Sequence, residues 1–146
     1  MHRVGRHFAS LLIGLSALAF VPEMAEAKAK VEWSRVEVPE SEDAARITKV
    51  LKTALEQAAK RAKFGDAKSV TLSAKLLTFT TEQHGDVLRV SCTVMGRVAG
   101  GASARSKISF GGSPDGRAEL EKQVLTMVAN GLVARLAQIA RSQTAK

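Results

Sequence analysis

His84 and Asp86 are the nearest thing to a catalytic pair in this chain, and they stand two residues apart in a Gln83-His84-Gly85-Asp86 stretch that reads as a hairpin turn. No serine in a nucleophile-elbow context accompanies them. The other histidines, His2 and His7, fall in a leader segment. A zinc site needs about four Cys, His or acidic ligands, and no such cluster is written into the sequence. There is no tyrosine. The acidic residues gather at helix starts and turns, where capping and solubility account for them. Two glycine-rich segments, Val98–Ser103 and Gly111–Arg117, fit neither phosphate-loop pattern. The second leads into a helix N-terminus, a generic anion site that Asp115 makes less hospitable. These residues point away from an enzyme and imply no cofactor and no metal.

Cys92 is the single cysteine, so no disulfide can form within the chain. It alternates with Leu88, Val90 and Val94 and is expected to face a core as a small apolar residue.

Binding chemistry is better represented. On period-two strands, Lys75, Arg89, Arg97, Arg105 and Lys107 fall on the side opposite the apolar residues, together with Ser91 and Thr93. Basic and hydroxyl side chains on a flat strand surface suit phosphate or sulfate groups. Readers of single-stranded nucleic acid add stacking aromatics to such a face. The outward positions hold none, so nucleic acid is not an expected partner.

The leader explains where such a face would work. Arg3 and Arg6 precede an apolar run from Phe8 to Val21, and Ala25-Glu26-Ala27 is a small-x-small cleavage site. The run is shorter than the ~20 residues that cross a bilayer. Residues 1–27 are therefore expected to be a cleaved signal peptide, and 28–146 the exported domain, periplasmic or secreted. The leader's two arginines balance Glu23 and Glu26, so the exported part keeps the net charge of +8. A basic protein in an envelope compartment meets lipid phosphates, acidic glycans and anionic head groups.

The elements that must position this face read as β-α-β-β-β-α. Val31–Val38 is a weak alternating strand, suited to an edge and ended by Pro39. An amphipathic helix spans about 42–64, with Ser41 as N-cap and Gly65 just past its end. Val70–Phe110 changes to period two. The apolar parity slips at Leu76-Leu77, which predicts a bulge. Gly96 and Ala99–Ala102 break the next strand, and Ala104–Phe110 makes the last. Ser113 and Pro114 open a helix to about Arg141, and Ser142 to Lys146 are expected to fray. Gly131 inside that helix predicts a close approach to the sheet.

The expected fold class is α+β: a two-layer sandwich, with a four-stranded mostly antiparallel sheet and both helices on one face. No stretch matches a family motif. By element order alone the chain is similar to small accessory proteins of the bacterial envelope. The function that follows is a non-enzymatic accessory domain binding an envelope protein or an anionic lipid or glycan. Self-association into a homo-oligomer through the weak first strand is the alternative, and a hydrolase using His84 a third.

Overall fold

The computed structural model describes residues 28–145, so the expected signal peptide, 1–27, lies outside the described residues. The order is β1 (Lys30–Glu37), α1 (Ala44–Arg61), β2 (Ser69–His84), β3 (Val87–Val98), β4 (Ser103–Gly112) and α2 (Arg117–Thr144). The strands form one open sheet in the order β1-β2-β3-β4. β1 pairs parallel to β2, while β2, β3 and β4 form an antiparallel meander. α1 is the crossover that a parallel neighbour requires. Both helices lie on one face, which gives the expected two-layer α+β sandwich.

Two bulges keep the apolar residues on that face. In β2 the register slips between Leu76 and Thr78, as the parity change predicted. Val70, Leu72, Ala74 and Leu76 are buried before the slip, and Phe79 is half-buried after it. A second slip, between Trp33 and Arg35, was not anticipated. It reconciles the weak alternation of β1: Val31, Trp33 and Val36 all pack against the core. β1 is an edge strand, and its bulge and charged side chains blunt that edge against indiscriminate pairing.

α2 lies across β3 and β4, and α1 packs against α2 and only lightly against β1. Leu120, Val124, Leu125, Val128, Leu132 and Leu136 form the buried stripe of α2. Gly131 makes the predicted close approach. A Cβ there would lie 2.8 Å from Ser106 Oγ on β4. Gly96 corrects an expectation. It does not break β3, which runs on to Val98; it faces α2 and leaves room for Leu132 and Leu136. His84 and Val87 flank a two-residue turn in which Gly85 takes φ +60°.

The helix ends differ from the expectation for local reasons. Ser41 does not cap α1; its carbonyl accepts from Ala44 N–H in a preceding turn, and Asp43 is the boundary residue. α1 stops at Arg61 because Ala62 turns extended, and Gly65, at φ +80°, serves a separate turn. Ser113 caps a short 3₁₀ turn, Pro114–Gly116, through Asp115 N–H, and α2 begins only after it. α2 extends a few residues past the expected end, to Thr144, with the Ser142 hydroxyl donating to the Gln138 carbonyl.

Cys92 is fully buried at the centre of the core, and burial pushes its thiol up to about 12 from 9.0. Thiol-alkylating reagents at pH 8 should leave the native chain unmodified and label it stoichiometrically in urea, as mass spectrometry would show. The same shift sets a sign for stability. The folded state holds the proton that the unfolded chain releases near pH 9, so stability should fall as pH rises from 9 towards 12. Rapid native labelling at pH 8 would contradict this placement.

Candidate anion-binding sheet face

The face away from the helices takes its composition from strand register. Along one cross-strand row Glu37, Lys75, Met95 and Arg105 stand side by side. The next row holds Arg35, Ser73, Arg97 and Ser103. On the other side of Met95, Thr78, Thr93 and Lys107 line up. Neighbouring strands are ~4.8 Å apart and same-face residues ~7 Å apart along a strand. Lys75, Arg97, Arg105 and Lys107 therefore surround Met95 within one small area. All four are exposed.

Arg89, the fifth predicted residue, is not part of this group. It lies two rows along from Lys107, opposite Glu82 and Gly111. Between it and the cluster runs a hydroxyl band, in which Thr80, Ser91 and Ser109 share a row and the Ser91 and Ser109 hydroxyls are 2.9 Å apart. Thr93 faces the same way but is only 8 % exposed, flanked in register by Thr78 and Lys107, so it supports the surface rather than offering a free hydroxyl.

Charge is distributed unevenly across the face. On β1, Lys30 pairs with Glu32 at 2.9 Å and Arg35 with Glu37 at 3.0 Å, which neutralises that edge. Over β2, β3 and β4, Lys75, Arg97, Arg105 and Lys107 form no ion pair among the described residues. Arg97 is held in place by its Nε, which donates to the Gly101 carbonyl at 3.2 Å. The result is a guanidinium tied to a backbone carbonyl beside three exposed cations. Such a set can engage the oxygens of a phosphate, sulfate or carboxylate group by charge-assisted hydrogen bonds.

His84 stands at the hairpin end, exposed, with its Nε2 3.3 Å from Glu82 Oε2. Asp86 forms no ion pair with it among the described residues. No group of three or more His, Cys, Asp or Glu side chains among the described residues could hold a metal ion. None of the described helices is long and apolar enough to cross a membrane.

Sequence reasoning missed one polar cluster. Glu121 was grouped with solubilising carboxylates at helix starts, yet its side chain is 4 % exposed. It accepts hydrogen bonds from Arg46 Nη2 at 2.9 Å, Thr81 Oγ1 at 2.8 Å and Arg117 Nε at 3.2 Å. The signal was available: Glu121 shares a helix face with Val124, Leu125 and Val128 at steps of three, four and seven. A carboxylate on an apolar stripe must find donors once buried.

No family model matches the chain, and no curated protein matches it. Solved structures do. A PelC dodecamer from Paraburkholderia phytofirmans is 15 % identical, with 82 % of this chain and 91 % of that chain covered, at a TM-score of 0.39. A putative lipoprotein from Caulobacter crescentus is 12 % identical over 76 % of this chain and 90 % of that one, at 0.45. A hypothetical protein from Chlamydia trachomatis is 12 % identical over 80 % and 99 %, at 0.42. At such identities and scores these likenesses assign the chain neither a family nor a function.

Proposed function

We propose that the chain is an exported, non-enzymatic accessory domain that binds an anionic component of the cell envelope through the β2–β3–β4 face. The observation that carries this reading is the juxtaposition of Lys75, Arg97, Arg105 and Lys107 with no carboxylate paired to them among the described residues. The pattern of residues 1–27 supports the compartment. The net charge of +8 supports an anionic partner. Phosphate-bearing glycolipid matches the face best, since its phosphates are multivalent and the neighbouring hydroxyl band can meet sugar oxygens.

The test is retention of the exported chain on immobilised lipopolysaccharide. Reversing Arg97, Arg105 and Lys107 to Glu should weaken binding about 100-fold or more at low salt, at roughly 1 kcal/mol for each cation lost near an anionic surface. Wild-type binding should also fall steeply as ionic strength rises. Retention that ignores both the substitutions and the salt would remove the sheet face from consideration. A protein partner captured equally at low and high salt would favour an accessory subunit instead.

A further inference from the structure

A cleft lies on the other side of the sheet, between β1 and α1. α1 leans towards α2 and touches β1 only lightly, so the inner side of β1 is left half-covered. A cleft of about 670 Å³ opens there, within the ordinary size range of small-ligand sites. Val31, Trp33 and Ala59 form an apolar floor. Lys52 and Lys60 rise from α1 at its rim, eight residues apart and on one side of the helix. Glu56 stands between them and forms no ion pair among the described residues. Lys28 closes the end, its Nζ donating to the Lys60 carbonyl at 3.1 Å, where it also meets the negative end of the helix.

We infer that this cleft binds a single-chain anionic amphiphile, a fatty carboxylate, with its head group drawn to the Lys52 and Lys60 ammonium groups on the side away from Glu56 and its chain along Val31, Trp33 and Ala59. Charge complementarity selects the occupant, because Lys28, Lys52 and Lys60 outnumber the one carboxylate of the lining, Glu56. A purely apolar ligand would leave the ammonium groups unused, and a compact anion would leave the floor exposed. Each methylene drawn from water onto that floor adds binding, and the two lysines select the charged end. This site is separate from the sheet face and does not depend on it.

Trp33 is the single tryptophan in a chain without tyrosine, so its emission reports on this cleft alone. Dodecanoate, titrated below its micelle concentration into the chain purified after export, should shift that emission to the blue and saturate. Lys52→Glu with Lys60→Glu should raise the dissociation constant at least tenfold, and both positions are exposed, so folding, checked by circular dichroism, should persist. Dodecanol, with the same chain and no charge, should bind at least tenfold more weakly. Arg105→Glu with Lys107→Glu should leave the titration unchanged, which separates failure here from failure of the sheet-face reading. The inference is overturned by an emission that does not saturate, by an equal response to dodecanol, or by a blue shift that follows protein concentration alone and so reports a second copy in the cleft.

Discussion

Leu132→Ala should destabilise the chain by about 4 kcal/mol in urea unfolding, and Gly96→Val by about 3 kcal/mol, yet the two together should cost clearly less than their sum. Leu132 is fully buried at the centre of α2. Truncating it removes apolar contact and leaves a cavity against β3. Gly96 sits across that contact. A Cβ there would lie 2.9 Å from Leu136 Cδ1 and 3.0 and 3.1 Å from the two Leu132 methyl groups. Such contacts force either the leucines or the strand to move, and close-packed interiors yield little. Removing the Leu132 methyls vacates the space that a valine at position 96 would enter. The double variant should therefore recover about 1–2 kcal/mol of coupling. Valine also suits a strand better than glycine does, which adds to the recovery. Strict additivity in the urea midpoints would mean that Gly96 is small for some reason other than the leucines.

The Glu121 cluster should respond asymmetrically to loss of its partners. Arg46→Ala with Arg117→Ala should cost about 3 kcal/mol, whereas Glu121→Met should cost about 1 kcal/mol or less. The reason is where each charge goes when left alone. The Arg46 and Arg117 side chains are 44 % and 61 % exposed, so water can take over when the carboxylate is gone. Glu121 cannot turn to water, and with both arginines removed only the Thr81 hydroxyl still donates to it. A buried charge stripped of its countercharges is the costly state, while an apolar side chain of similar volume in its place is close to neutral. The figure for the double variant is set at the lower end of the range for buried pairs because both guanidinium groups already touch water. Equal losses for the two variants, read from urea midpoints, would show that the cluster acts through packing rather than charge.

Much of the architecture was legible because it rests on local periodicity. The alternation of Leu88, Val90, Cys92 and Val94 marked an inward face, and all four are buried. The slip at Leu76-Leu77 announced its bulge, because a strand that changes parity must either bulge or expose its apolar residues. Gly131 announced a close helix–sheet contact, because glycine is otherwise poorly placed inside a helix. Four of the five predicted cations came together for the same reason: outward parity on adjacent strands suffices to put them on one surface. Arg89 was grouped with them because parity says which face a residue takes and not how far along the sheet it lies.

The readings that failed concern glycine, helix ends and charge. Gly96 looked like a strand break, since a missing side chain carries no sign of the leucines that fill its place. Ser41 and Gly65 had suitable identities for caps, but the helix begins after a turn that starts at Ser41 and ends before Gly65 is reached. Glu121 was read by residue type, and only packing shows that Arg46, from another helix, reaches it.

By itself the sequence determined the leader pattern, the order and kind of the elements, the core-facing residues of β3 and of the buried stripe of α2, and the cationic character of the sheet's outer side. Each of these depends on residue type and on spacings of two, three or four, which one strand or helix expresses without its neighbours. The tertiary structure alone decided the parallel pairing of β1, the separation of Arg89 from its fellow cations, the burial of Glu121 and the lysine-rimmed cleft beside Trp33. Those features arise where elements distant in the chain meet, and the register and tilt of such meetings are set by the packing of whole surfaces, which no local pattern contains.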